Sequence, residues 1–190
     1  MNIDVIAAEL AGIAGRENIR LNESMAGHTS FKLGGPADIL VTPGSTEILV
    51  KVYRYCKQAG IPLLVMGNGT NMIVREKGIR GVVIKLLDNY SSWEVSGERI
   101  RADAGILISK VARIALEHSL TGVEFAEGIP GTLGGAVVMN AGAYTGEMSG
   151  IVEYVDYLDK EGNIKRLDNA RMEFGKRSSY AQRDGGVVLG

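Results

Sequence analysis

The spacing of hydrophobic residues predicts helices and strands along the first half of the chain. Apolar residues recur every three or four positions in residues 3–13 and 46–57, as in a helix with one buried face. Ser45 and Gly60 are typical start and stop residues for the second of these helices. Continuous apolar runs predict strands, and the strand–helix–strand order around the second helix favours parallel pairing. These runs are residues 39–42, 62–66, 72–74 and 82–86.

The pattern changes after Leu87, which predicts a boundary between one lobe at residues 1–88 and another at residues 89–190. In the second lobe a helix is predicted over residues 106–120, ended by Gly122. Paired short apolar segments separated by polar turns predict two hairpins. Their strands are residues 93–95 with 99–102, and residues 152–159 with 164–167. Residues 185–190 begin like a strand but show no partner or polar tail, so the chain is expected to be a fragment.

Composition and charge exclude several classes of protein. Lys and Arg total 21 and Asp and Glu total 22, without a basic block, so no nucleic-acid partner is expected. The apolar runs are far shorter than the roughly 18 residues of a membrane span, and no basic segment begins a signal peptide. We therefore expect a cytoplasmic protein without a membrane partner. The single Cys56 and the widely separated His28 and His118 predict no metal site, and Cys56 is expected to be a buried packing residue.

Glycine is the residue whose abundance changes this picture. The chain has 26 glycines in 190 residues but only 4 prolines, so the excess does not come from flexible linkers. The share is about twice the usual value of about 7%. Glycine is kept where the backbone turns through positive φ or approaches another group closely. The positions of the glycines are therefore the main guide to function.

A first glycine loop, residues 67–72, follows the predicted strand at 62–66. Glycines there allow successive backbone N–H groups to point at one concavity, which suits a phosphate or pyrophosphate. Met72 occupies the third glycine position of a dinucleotide fingerprint, and the loop lacks the lysine of a P-loop. Neither a Rossmann nor an NTPase interpretation follows, and an ordinary tight turn is the alternative.

A second glycine-rich stretch covers residues 127–136 and is followed by residues 140–144. Pro130 suits the start of a helix, whose N-terminus attracts anions and lets a flat ligand lie on bare backbone. Each glycine weakens a helix by roughly 1 kcal/mol relative to alanine, so another requirement must keep them. Close helix packing is the alternative explanation. A third stretch, residues 29–38, predicts a strand ending in a Gly-Gly-Pro turn, within a hairpin or a loop.

Four motifs stand in one order along the chain: residues 29–38, residues 67–72, residues 128–136 with 139–144, and residues 174–179. In these motifs the chain resembles the UDP-N-acetylenolpyruvoylglucosamine reductase (MurB) family, flavoenzymes of bacterial peptidoglycan synthesis. The resemblance extends over residues 19–190. The motif at residues 140–147 is similar to the shorter of the two types in that family.

This resemblance implies an α+β, two-lobed FAD-binding fold of the vanillyl-alcohol-oxidase/PCMH type, with FAD held noncovalently between lobes 1–88 and 89–190. It implies that the first loop cradles the pyrophosphate and that the second lies along the flavin and its ribityl chain. Covalent attachment of the flavin through His28 is the alternative. The predicted cofactor-binding residues are Gly67, Asn68, Gly69, Thr70, Asn71, Met72, Gly128, Ile129, Pro130, Gly131, Thr132, Gly134, Gly135, Ala136, Asn140 and Gly142.

The resemblance also implies a reaction. NADPH reduces the flavin and leaves, and a UDP-sugar that carries an enolpyruvyl group then takes its place and accepts hydride. Arg177 matches the family's arginine, whose planar guanidinium suits the carboxylate where charge develops. Arg177 and Ser178 are the predicted substrate contacts, although Arg177 alone would also suit a solvated turn. The family's tyrosine before this arginine is replaced by Lys176.

The family's proton-donating serine and a second, acidic catalytic residue lie in a C-terminal substrate-binding domain that this chain does not reach. Because reduction requires a proton as well as a hydride, we expect the chain to bind FAD but to turn over slowly or not at all. Two alternatives stay open at this point. The chain could belong to another flavin oxidoreductase of the same fold, or it could be a non-catalytic nucleotide-binding module.

Overall fold

The computed structural model describes residues 2–144 and 146–190. The chain divides into two compact units, Met1–Asn89 and Tyr90–Gly190. The interpretation of these units as FAD-binding lobes stays a prediction. Within the described ranges, no helix combines the length and the apolar character needed to cross a membrane.

In residues 2–89 the first unit contains a four-stranded sheet and two α-helices. Its elements are α1 (Ile3–Ala14), β1 (Ile19–Ser24), β2 (Pro36–Val41), α2 (Thr46–Gln58), β3 (Leu63–Met66) and β4 (Ile79–Lys85). The strand order is β1-β2-β4-β3, so β4 lies between the two strands that flank α2. Strands β2 and β3 both run parallel to β4 and therefore to each other, as predicted, but they pair through β4 rather than directly, and β1 is antiparallel to β2.

Helix α2 shows why local signals were sufficient for this part of the fold. The Ser45 hydroxyl accepts a hydrogen bond from the Ile48 N–H at 3.3 Å, so Ser45 is the N-cap that was predicted. The helix buries one face, including Leu49 and Cys56, both fully shielded from solvent. Burial raises the pKa of the Cys56 thiol to about 11, as expected for a packing residue.

Two predicted strands of the first unit are wrong. Residues 72–74 have no regular structure: Val74 and Met72 pack against the core beside Met25, while the side chain of Ile73 is 71% exposed. These residues contribute side chains to the core without a ladder of backbone hydrogen bonds. Residues 29–31 form a turn after a short 3₁₀ helix, Met25–His28, and the regular strand begins only at Pro36.

In its described residues, 90–144 and 146–190, the second unit contains hairpins and three α-helices. Its elements are β5 (Trp93–Ser96), β6 (Arg99–Ala102), α3 (Ile108–Glu117), α4 (Leu133–Val138), β7 (Gly142–Ala143), β8 (Gly146–Glu147), β9 (Tyr154–Leu158), β10 (Ile164–Asp168), α5 (Tyr180–Asp184) and β11 (Val187–Val188). The hairpins β5–β6 and β9–β10 confirm the prediction. Strand β11 pairs with β9, so the expectation that the last strand has no partner is wrong.

Two helix limits in this unit differ from the predicted ones. Helix α3 ends at Glu117 because the backbone turns at Ser119, which adopts a φ of 56°, three residues before the predicted stop at Gly122. Helix α4 begins at Leu133 rather than at Pro130. Its N-cap is Thr132, whose hydroxyl accepts a hydrogen bond from the Gly135 N–H, so the chain becomes helical only after this residue.

Candidate cofactor and substrate site

The first glycine loop, residues 67–71, follows β3 and folds back on residues 28–30. Gly69 has a φ of 66°, and its carbonyl accepts a hydrogen bond from the Ser30 N–H at 3.1 Å. A Cβ atom on Gly69 would stand 2.0 Å from the His28 carbonyl oxygen, so only glycine is accommodated here. Within residues 2–144 and 146–190, the N–H groups of Gly69, Thr70 and Asn71 donate no hydrogen bond. Successive unpaired N–H groups of this kind suit an oxyanion.

A chain of polar side chains begins beside Met66, the residue that precedes this loop. Lys85, the last residue of β4, is in register with Met66, and its Nζ lies 3.0 Å from His28 Nδ1. His28 Nε2 lies 2.8 Å from Glu23 Oε1. Burial lowers the pKa of Lys85. Both ring nitrogens of His28 are thus engaged by protein groups, which argues against covalent flavin attachment at this residue. A lysine within the otherwise apolar run at residues 82–86 is the sequence signal that could have indicated this cluster.

The contact between Glu23 and His28 makes a testable contribution to acid stability. The hydrogen bond from His28 is the main cause that lowers the pKa of Glu23 below its ordinary value. A lowered carboxyl pKa stabilises the fold above the unfolded value, and this stabilisation is lost as pH falls. We expect Glu23→Gln to reduce the free energy of unfolding by about 1 kcal/mol or less at neutral pH. Urea unfolding at neutral and acidic pH tests this, since the deficit must shrink in acid; an equal deficit at both would contradict the assignment.

The N-terminus of α4 is already satisfied by protein groups. The Leu133 N–H donates to the Ile106 carbonyl and the Gly134 N–H to the Ala104 carbonyl, both at 2.8 Å, while Gly135 donates to Thr132. The first three N–H groups of α4 are thus already paired, so the structure does not support the predicted anion site at this helix terminus. In the described part of the chain, the N–H groups of Gly128, Gly131 and Thr132 donate no hydrogen bond. The available donors accordingly lie in the loop before the helix.

The glycines of this region fall into two groups. A Cβ atom on Gly134 would stand 2.8 Å from the Ala104 Cβ, and one on Gly142 would stand 2.6 Å from the Gly146 carbonyl oxygen. Close packing, the alternative explanation, therefore accounts for these two. A Cβ atom on Gly128 would meet nothing within 4 Å, and one on Gly135 would meet only the Thr132 hydroxyl at 3.5 Å. Packing does not require these two glycines, which leaves bare backbone facing open space.

Arg177 stands on a tight turn between Gly175 and Ser178. The Gly175 N–H donates to the Ser178 carbonyl at 3.0 Å, and the Ser178 N–H donates back at 3.2 Å. Arg177 is exposed and makes no ion pair with any residue that the structure describes. Arg183 differs, because its guanidinium pairs with Glu173 at 2.5 Å and donates to the Ser178 hydroxyl at 3.0 Å. Arg177 thus presents an uncompensated cation at this turn.

Asn140, one of the predicted cofactor contacts, is 3% exposed and makes hydrogen bonds within the protein. Its Nδ2 donates to the Gly175 carbonyl at 3.1 Å, and its Oδ1 accepts from the Ser149 N–H at 2.9 Å. Two other predicted contacts also face the protein, since Met72 packs at the core and Ala136 is buried in α4. The cofactor roles of these three residues stay predictions.

The family described as FAD binding domain matches residues 37–168, more than half of the chain. The chain belongs to this FAD-binding domain family. This membership confirms FAD as the cofactor that the resemblance to the reductase family implied. Both glycine loops lie within or beside ordinary helices and strands. FAD is therefore the ligand to test at each loop.

Similar proteins support the resemblance to the reductases that was stated from the motifs. The chain is 48% identical over 189 residues to UDP-N-acetylenolpyruvoylglucosamine reductase of Clostridioides difficile (strain 630), covering 100% of this chain and 62% of that protein. It is 50% identical over 186 residues to the reductase of Caldanaerobacter subterraneus subsp. tengcongensis, covering 98% and 61%. The FAD-binding chain therefore spans about three fifths of the length of these curated relatives.

Solved structures confirm the predicted fold class, which is α+β of the vanillyl-alcohol-oxidase/PCMH type. UDP-N-acetylenolpyruvylglucosamine reductase (MurB) from Thermus caldophilus superposes with a TM-score of 0.74 at 31% identity, covering 90% of this chain and 59% of that one. The 4-ethylphenol oxidase from Gulosibacter chungangensis superposes with a TM-score of 0.66 at 16% identity, covering 86% and 34%. The second likeness concerns the fold alone.

The residues present are compatible with FAD. A diphosphate requires hydrogen-bond donors, and the N–H groups of Gly69, Thr70 and Asn71 donate to no other described residue. A flat ring system requires backbone without side chains, and the space beside Gly128 and Gly135 meets that need. Each loop, taken by itself, therefore offers backbone groups that suit one part of FAD.

A matched pair of substitutions in α4 separates packing from ligand contact. We expect Gly134→Ala to lower the free energy of unfolding by about 1–2 kcal/mol, because the new methyl group meets Ala104. We expect Gly135→Ala to raise it by about 0.5–1 kcal/mol, because alanine favours the helix and finds open space. Gly135→Ala should nevertheless weaken FAD binding about tenfold, or by about 1.4 kcal/mol. Urea unfolding and FAD titration measure both effects; unchanged FAD affinity in Gly135→Ala would contradict a ligand at this surface.

Proposed function

We propose that this chain is the FAD-binding part of an NADPH-dependent reductase that converts UDP-N-acetylenolpyruvoylglucosamine to UDP-N-acetylmuramate. The product is a precursor of peptidoglycan, and the enzyme works in the cytoplasm. The observation that carries the proposal is the similarity to reductases of this name over the whole chain, together with Arg177, which makes no ion pair with any described residue. Its partners are NADPH and the UDP-sugar substrate.

Bound FAD supplies the hydride chemistry, and the residues of this chain bind and orient the reacting groups. The loop N–H groups around Gly69 neutralise part of the diphosphate charge. Arg177 serves the substrate, because hydride addition to the enolpyruvyl double bond leaves negative charge on the α-carbon and its carboxylate. A guanidinium already fixed beside that carboxylate lowers the barrier at the point where the charge develops. Ser178 adjoins Arg177 and retains a hydroxyl hydrogen that can reach the same group.

The chain alone is expected to bind FAD without efficient turnover. In the family that it resembles, the proton donor and a second, acidic residue lie in a C-terminal substrate-binding domain. The relatives extend well beyond the part that this chain matches, since it covers 62% and 61% of the first two. Without a positioned acid, the carbanion formed by hydride addition has no efficient proton source, and the overall reduction slows.

Absorbance and NADPH consumption test the proposal. Purified protein, or protein given FAD, should show flavin absorbance that disappears on denaturation and filtration, because the cofactor is noncovalent. The full-length polypeptide should oxidise NADPH much faster when the UDP-sugar is added. Equal NADPH oxidation with and without the UDP-sugar would instead support another flavin oxidoreductase of this fold. Absence of any FAD uptake would overturn the proposal altogether.

A further inference from the structure

Helix α4 connects the bare glycine surface to the turn that carries Arg177. Its first turn contains Gly135, which faces open space, and its last residue, Val138, accepts a hydrogen bond from the Ser179 hydroxyl at 2.8 Å. Ser179 is fully buried. Asn140, two residues after the helix, donates to the Gly175 carbonyl at 3.1 Å. The two ends of the arginine turn are therefore each tied to the C-terminal end of one short helix.

Asn140 makes a second hydrogen bond besides the one to the arginine turn. Its Oδ1 accepts from the Ser149 N–H at 2.9 Å, so the side chain bridges the arginine turn and the segment after β8. Hydrogen bonds from the Ser149 hydroxyl and, to a smaller extent, from the Asn140 side chain lower the pKa of the nearby Glu147. Asn140 itself has a φ of 40°, a conformation that asparagine tolerates better than most residues. A buried side chain with this many partners holds one orientation.

The turn that Asn140 holds carries an unusual residue for its backbone. Arg177 has a φ of 54°, in the left-handed region where glycine or asparagine would be favoured. A strained backbone conformation of this kind persists only where contacts with the surrounding structure fix it. Arg177 is exposed, so packing of its own side chain does not fix its backbone conformation. The hydrogen bonds from Asn140 to Gly175 and from Ser179 to Val138 fix the turn at its two ends.

We propose that Asn140 is a positioning residue for Arg177: through the Gly175 carbonyl it fixes the turn that presents the guanidinium to the substrate carboxylate. This inference rests on the proposed function of Arg177. It gives Asn140 a role toward the substrate arginine rather than a side-chain contact with the cofactor. Ser179 supports the other end of the same turn through Val138.

Asn140→Gly tests the proposal, because glycine keeps the left-handed backbone while both side-chain hydrogen bonds are lost. In the full-length polypeptide we expect kcat with the UDP-sugar to fall about thirtyfold, while FAD affinity stays within twofold. Hydrogen exchange of the Ser178 amide should accelerate at the same time, since its acceptor, the Gly175 carbonyl, is no longer held. In an Arg177→Met background, Asn140→Gly should lower kcat less than twofold, because the group that it positions is absent.

Asn169→Ala is the matched control. Asn169 Nδ2 donates to the Ser149 and Val152 carbonyls at 2.8 and 2.7 Å, so it holds the same neighbouring segment without touching the arginine turn. It should lower thermal stability without the loss in kcat or the faster exchange at Ser178. Equal losses of kcat in Asn140→Gly with or without Arg177 would overturn the positioning role, as would unchanged kcat in an active enzyme. A wild-type polypeptide without UDP-sugar reduction would refute the proposed function instead.

Discussion

Replacement of Arg177 by methionine is expected to lower the rate of UDP-sugar reduction about a thousandfold, as for other fixed groups that stabilise transition-state charge. The physical reason is that Arg177 is exposed, unpaired within the described residues and held on a turn tied to α4. Its positive charge is therefore not neutralised by a carboxylate of the described residues. Arg177→Lys keeps the charge but loses the planar pair of donors, and we expect an intermediate loss of about tenfold to a hundredfold.

Steady-state NADPH oxidation by the full-length polypeptide, with the UDP-sugar present, measures these losses. Arg171→Met is a suitable control, because Arg171 is an exposed arginine of the same unit whose contact with Asp168 spans 3.9 Å. It removes the same charge and should change the rate less than twofold. A small effect of Arg177→Met, comparable with that of the control, would mean that Arg177 belongs to an ordinary solvated turn.

Gly69→Ala is expected to destabilise the first unit by about 3 kcal/mol, combining the left-handed backbone with a severe overlap. The overlap arises because the added Cβ atom would stand 2.0 Å from the His28 carbonyl oxygen, a main-chain atom that cannot rotate away. The loop would have to separate from residues 28–30, and the N–H groups that suit the diphosphate would lose their arrangement. FAD binding should therefore fail together with stability.

Gly60→Ala provides the control for backbone conformation alone. Gly60 has a φ of 62°, close to the 66° of Gly69, but a Cβ atom there would meet nothing within 4 Å. We expect this substitution to cost about 1 kcal/mol, the penalty of the left-handed conformation alone. Urea unfolding followed by circular dichroism compares the two variants. Similar losses in both would show that the contact with His28 adds nothing.

The sequence predicted those parts of the fold whose signals are local. Helix α2 has its cap, its apolar stripe and its stop residue within about four turns, and the β5–β6 and β9–β10 hairpins have their turns between their strands. Strand β1 was missed because most of its residues are exposed and polar. Residues 72–74 were misassigned because burial of Val74 by side-chain packing leaves the same apolar pattern as a strand.

The sequence likewise predicted the parts of the candidate site that lie in contiguous motifs, but not the contacts between distant residues. The glycine loops and Arg177 were found because the motifs are contiguous and resemble a known family. The division of the glycines between packing and open space depends on which atoms lie next to each one, such as Ala104 beside Gly134, and the glycine pattern does not specify these neighbours. The bond from Asn140 to Gly175 joins residues separated by 35 positions, and its partner is a main-chain carbonyl. No pattern of residue types specifies such a pairing.

The enclosed position of Cys56 has a practical consequence for spectroscopy. It is the only cysteine in the chain, its side chain is fully buried in α2, and burial raises its pKa to about 11. At neutral pH the sulfur is protonated and shielded, so maleimides and spin labels will react with it very slowly. A cysteine introduced at an exposed position such as Arg171 would then be the sole reactive thiol. Site-specific fluorophores can be attached without first removing the native one.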